Sequence, residues 1–231
     1  MGREALLNDS EKAQMRPHFL KSLAAILSGC VFATPAFAHP HVFVEANIDV
    51  VRDADGNFSE LRQVWRFDEL FSATITLDFD DDGDGKLNEA ALKVITDTVK
   101  ESIAEYDFYT ALRVQGKPVE FYEPEKLDAY FEGDQMIMLM AVQPAEKYDF
   151  SKGPLSISVS DTSFYVAFDY EVKNVVVEGG PGTCGVDVNY PDYDSLYAEN
   201  SLSLTEAFFD DPSNTEAFGD EFYSWAVIDC K

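Results

Sequence analysis

The densest run of ligand-type side chains in the sequence is Asp80-Asp81-Asp82-Gly83-Asp84-Gly85-Lys86-Leu87-Asn88. Carboxylates at alternate positions, a glycine at the sixth and an apolar residue at the eighth are the layout of an EF-hand loop, in which hard oxygen donors wrap a Ca²⁺ ion. Counted from Asp80, the acids Asp82 and Asp84 fall at the third and fifth positions. Gly85 makes the sharp turn, Lys86 offers its carbonyl, Leu87 is the apolar residue and Asn88 follows. The twelfth position, where an EF-hand places a bidentate Glu, is Ala91. Glu89, or Asp78 from the preceding segment, is the candidate replacement. Without the usual closing ligand the expected affinity is weak, about 10⁻⁴ to 10⁻³ M. The competing reading is a solvated Asp-Gly turn between two helices.

A second constellation depends on processing. Residues 15 to 38 begin with Met15, Arg16 and Lys21, continue through Leu23, Ile26, Leu27, Val31 and Phe32, and end in Ala36-Phe37-Ala38. That is the plan of a secretory signal peptide. Residues 1–14 are polar and contain acids, so the true start is expected at Met15. Leu27-Ser28-Gly29-Cys30 offers a rival lipoprotein cleavage site that would leave a lipidated Cys30.

Cleavage after Ala38 gives His39 a free α-amine beside its imidazole. His41, two residues along a strand, presents its ring on the same side as Glu45. Imidazole nitrogen suits zinc, nickel and copper, so His39, His41 and Glu45 form a candidate transition-metal site. The third histidine, His18, leaves with the targeting segment. A Ser-His-Asp or Cys-His hydrolase would therefore have to draw its base from the first three residues of the processed chain, and no enzyme is expected. Pro40 has no amide proton, which blocks the square-planar copper site built on deprotonated backbone amides.

The net charge of −26, from 43 acidic against 17 basic residues, repels nucleic acid and anionic lipid and concentrates cations. Beyond the targeting segment no apolar run is long enough to span a bilayer. Cys184 and Cys230 remain as a pair, and in an oxidising compartment they are expected to form a disulfide. The alternating Met136, Met138 and Met140 read as a buried strand rather than a soft copper site. Gly179-Gly180-Pro181-Gly182 reads as a turn, because no Gly-Lys-Ser/Thr follows and Pro181 lacks a donor.

The elements that would position these residues follow from periodicity. Residues 41–51 alternate as a half-buried strand, and a turn at Asp53 to Asn57 returns the chain as a second strand over 58–66. Helical spacing governs 67–77 and 88–106, on either side of the acidic loop. Short strands are predicted over 109–114, 119–122, 128–131, 136–142, 155–159, 165–170 and 172–177, then a short helix near Leu204 to Phe209 and a last strand near 223–228. The fold class is α+β: one β-rich, sandwich-like domain over 39–231, with an EF-hand-like helix-loop-helix inserted at 67–106.

Several of these motifs, in this order, resemble one family. They are His39-Pro40-His41-Val42-Phe43-Val44-Glu45, Trp65-Arg66-Phe67-Asp68-Glu69-Leu70-Phe71-Ser72-Ala73, the Asp-Gly-Asp-Gly loop, Tyr165-Val166-Ala167-Phe168 and the terminal Cys230. Together they are similar to the bacterial family called domain of unknown function 1007, described as a periplasmic component of an ABC-type transport system. Its members are often encoded beside, or fused to, nickel, cobalt or zinc transporters. The resemblance implies a periplasmic accessory role in transition-metal traffic, with a membrane metal transporter as partner. The alternative is a periplasmic solute-binding or protein-interaction module with no transition-metal role.

Overall fold

The computed structural model describes residues 41–196 and 219–231. His39, Cys30, the targeting segment and the helix expected near Leu204 lie outside the described residues.

The chain starts as predicted, with strand β1 (Val42–Arg52) burying Val42, Val44, Ala46, Ile48 and Val50 and turning the intervening residues outward. Asp53 makes the return possible. Its carboxylate accepts from the amides of Asp55 and Asn57 at 3.0 Å each, and Gly56 takes φ +86. Strand β2 (Phe58–Phe67) then pairs antiparallel with β1, setting Ala46 beside Trp65 and Glu45 beside Arg66.

Two helices follow, α1 (Glu69–Phe79) and α2 (Glu89–Ile103). Asp68 caps α1 by accepting from Phe71 N at 2.8 Å, and its other oxygen accepts from Phe43 N at 2.9 Å, which ties the helix start to β1. Ser72 is fully buried; its hydroxyl donates to the Asp68 carbonyl and accepts from Met136 N at 3.0 Å, fastening α1 to the sheet. α1 runs to Phe79, two residues past its predicted end. α2 ends at Ile103, before its predicted end, because Ala104–Tyr109 folds into tight turns in which Asp107, Phe108 and Tyr109 all take positive φ.

Among the described residues ten more strands follow: β3 (Thr110–Val114), β4 (Lys117–Pro118), β5 (Phe121–Tyr122), β6 (Leu127–Glu132), β7 (Gln135–Pro144), β8 (Leu155–Val159), β9 (Val166–Asp169), β10 (Val175–Glu178), β11 (Cys184–Asn189) and β12 (Trp225–Cys230). They make a seven-stranded sheet of order β10-β1-β2-β7-β5, with β6 also on β7 and β9 also on β1, and a five-stranded sheet of order β11-β12-β8-β3-β4. β9 and β10 both run parallel to β1, and the other pairings are antiparallel.

The two sheets share one core, as the sandwich-like expectation required. Leu61, Trp65, Met136, Met138 and Met140 from the first sheet join Leu112, Leu155, Ile157 and Ile228 from the second in a single buried cluster. The methionine stripe is thus core packing. One polar chain crosses the interior: the Trp65 indole donates to Gln63 Oε1 at 3.1 Å, and Gln63 Nε2 donates to Thr110 Oγ1 at 2.8 Å. Each buried polar group finds its partner there.

Further predicted details change among the strands. The expected strand over 172–177 begins as a 3-10 turn, Val172–Asn174, and only from Val175 pairs with β1. The 119–122 segment keeps only the two-residue β5. β11 was not predicted; its glycine and aspartate weaken the strand pattern, and pairing to β12 supplies what local propensity lacks.

Candidate metal centre

Two apolar anchors hold the acidic loop. Phe79, the last residue of α1, and Leu87 both pack partly buried against the core. Between them the chain must close tightly, and it does so at Gly83 and Gly85, with φ +71 and +80.

The aspartates organise this turn from within. Asp80 accepts from Gly83 N at 2.9 Å and from Gly85 N at 2.8 Å, Asp82 from Asp84 N at 3.3 Å, and Asp84 from Lys86 N at 2.8 Å. The consequence is convergence: one carboxylate oxygen from each of Asp80, Asp82 and Asp84 lies within 4.8 Å of the others. The Gly85 amide, ahead of the Asp82 and Gly83 contacts, holds the Asp80 carboxyl below its ordinary value. The last turn of α1 points its carbonyl end at the loop and contains no basic residue to offset it.

The remaining loop positions have other roles in the structure. Asn88 Oδ1 caps α2 by accepting from Ala91 N at 2.9 Å. Ala91 occupies the place of the missing closing ligand with a backbone donor. Glu89 lies exposed in the first turn of α2, and neither it nor Asp78 is among the carboxylates that converge. Lys86 is exposed. Three hard oxygen anions on a glycine-built turn fit a calcium ion chemically. With three of the six to eight oxygens that Ca²⁺ takes, the rest must come from carbonyl or water, which suits weak binding.

The other candidate site lies at the start of β1. His41 is exposed, donates its backbone N–H to the Tyr165 carbonyl at 2.9 Å, and stacks its ring at a tilt 5.0 Å from that of Tyr165. Glu45 shares the outward face but is not brought to His41. Four residues of extended chain separate them by about 13 Å, and Phe43, 56% exposed, stands between. The Glu45 carboxylate instead accepts from Asn174 Nδ2 at 3.2 Å, and that amide also reaches Asn47 Oδ1 at 3.0 Å. Asn174 and Tyr165 carried no ligand or catalytic signal in the sequence; only the pairing of β9 and β10 with β1 places them here.

Cys184 and Cys230 face each other across β11 and β12 and form a disulfide that joins residues 46 apart in sequence. Such a bond suits an oxidising compartment. Beside it, the Gly179 to Gly182 turn presents carbonyls rather than amides. Arg52 donates to the Gly179 carbonyl at 2.7 Å and to the Pro181 carbonyl at 2.9 Å. A loop that offers acceptors to a cation is the reverse of a phosphate cradle.

The model of one family, protein of unknown function DUF1007, matches residues 24–230. The chain belongs to the DUF1007 family. No curated protein matches it. Among the described residues of this DUF1007 protein, no helix is long and apolar enough to cross a membrane. Asp80, Asp82 and Asp84 are, among those residues, the one group of three or more His, Cys, Asp or Glu side chains close enough together to hold a metal ion.

Proposed function

We propose that this DUF1007 protein is a periplasmic metal-binding accessory protein that passes a divalent transition metal, zinc, nickel or cobalt, to or from a membrane transporter, and that its acidic loop takes a structural calcium ion. The observation that carries the metal reading is the convergence of Asp80, Asp82 and Asp84 within 4.8 Å on a turn built by their own backbone hydrogen bonds. The transition-metal donors in this reading are the α-amine and imidazole of His39 together with His41. This reading leaves out Glu45, one of whose carboxylate oxygens accepts from Asn174 Nδ2. Support for a transport link comes from the resemblance described above.

Elemental analysis of protein purified from the periplasm with its native N-terminus tests the reading, because a tag ahead of His39 would remove the amine. Calorimetric titration then separates the two sites. Calcium heat should disappear in Asp80→Ala, and zinc, nickel or copper heat should disappear in His39→Ala and in His41→Ala. No calcium heat in the unaltered protein would sink the loop, and unchanged transition-metal affinity in both histidine variants would sink the N-terminal site.

A further inference from the structure

The outward face of the seven-stranded sheet carries a cavity of ≈ 530 Å³, remote from the acidic loop in sequence and built from different strands. Its size is that of a site for a small organic molecule. The floor is apolar: Val64 of β2 lies directly beside Leu139 of β7, and Ala141 is two residues further along. The segment joining β5 to β6 borders it and contributes Tyr122, 63% exposed.

Around that floor stand five carboxylates, from Asp49, Glu60, Glu123, Glu125 and Asp128. Two cations accompany them and both are already engaged. Arg62 Nε donates to Glu60 at 2.9 Å, and Lys126 pairs with Asp128 at 2.5 Å. Asp49 sits directly across from Arg62, yet burial raises its carboxyl above the ordinary value, with Glu178 adding to the rise and Arg62 opposing it. Five carboxylates against two paired cations leave the lining of this cavity with an excess of acids.

We propose that this cavity binds a linear aliphatic polyamine, its ammonium groups among the carboxylates and its methylene chain along Val64, Leu139 and Ala141. Three features select that chemistry. A bare metal ion would need converging oxygens, and among the described residues those converge only at Asp80, Asp82 and Asp84. An amino acid would need a cation for its carboxylate, and Arg62 and Lys126 are held by carboxylates of the cavity itself. A hydrated inorganic cation would make no use of the apolar floor, whereas a polyamine matches floor and rim together and can place an ammonium against the Tyr122 ring.

The test is calorimetry of the processed chain with spermidine and putrescine at about 0.15 M NaCl, where diffuse attraction to an acidic surface is screened. One saturable site per chain is expected, with spermidine tighter than putrescine. Asp49→Asn and Asp128→Asn should each weaken it about tenfold, and Ala141→Trp, which fills the floor, should abolish it. Thermal melting of each variant checks the fold, and Asp80→Ala, in the acidic loop, should bind spermidine as the unaltered protein does. Non-saturable heat, unchanged affinity in the Asp49→Asn, Asp128→Asn double variant, or loss of binding in Asp80→Ala would overturn the proposal.

Discussion

Calcium should raise the melting temperature of this protein by an amount that the loop chemistry sets. Three carboxylate oxygens face one another within 4.8 Å, and backbone hydrogen bonds to Asp80 hold the turn that gathers them. A divalent ion that binds only the folded loop stabilises it by mass action. With a dissociation constant of about 10⁻⁴ to 10⁻³ M, about 10 mM Ca²⁺ contributes ~1.4 to ~2.7 kcal/mol. For a domain of this size that corresponds to a rise of about 3 to 11 °C. Differential scanning calorimetry at matched ionic strength, with CaCl₂, MgCl₂ or NaCl, makes the measurement. Mg²⁺ should do less, since it demands near-ideal octahedral geometry from a site with three carboxylates. Asp80→Ala removes a ligand and the acceptor for Gly83 and Gly85, so its melting temperature should not respond to calcium. A rise equalled by NaCl, or one that survives in Asp80→Ala, would refute the reasoning.

The remaining expectations concern the frame. Ser72→Ala leaves the buried Met136 amide without its acceptor and should cost about 1 to 3 kcal/mol by urea unfolding; equal stability would show that another acceptor replaces the hydroxyl. Replacing both Cys184 and Cys230 with serine releases a link between residues 46 apart, for which loop entropy gives ~4 kcal/mol at 25 °C. A loss below ~1 kcal/mol would mean that residual structure already restricts the reduced unfolded chain, so that the bond removes little further freedom. Asp53 is lowered to about 2, first by the Lys147 ammonium and then by the Asn57 amide. Its folded value lies below the unfolded one, so its contribution is present above about pH 4 and lost as pH falls through about 2. Carboxyl NMR should place its midpoint near 2, and a midpoint near 4 would remove it as a turn fastener.

What was legible in the sequence was what depends on short-range pattern. The alternation of residues 42–50 gave β1 with its buried face, and the spacing of the aspartates and glycines marked the turn that brings three carboxylates together. What was not legible depends on pairing between distant segments. Two alternating residues suffice to put His41 and Glu45 on one face, but not to say that Asn174, 129 residues away from Glu45, would take its carboxylate. Likewise the outer cavity exists only because β1, β2 and β7 lie side by side, so Asp49, Arg62 and Ala141 form one row though nothing local links them. β11 was missed for the same reason: its strand character comes from its partner β12.

The geometry also bears on whether the two proposed metal chemistries act on each other. Asp68 opens α1 and is bonded to Phe43, two residues from His41, while Asp80 closes the same helix and begins the acidic loop. The 11 residues of α1 therefore hold the loop and the start of β1 apart by about 16 Å at the helical rise. No single ion can bridge such a distance, so the loop aspartates cannot complete a coordination sphere begun by His41. What calcium can do is fix the C-terminal end of a helix whose other end is tied to β1 through Asp68. Its effect on the strand start is then mechanical, exerted through the Ser72 anchor and the Asp68 cap, and not electrostatic at the donor atoms, since charges so far apart at an exposed surface are screened.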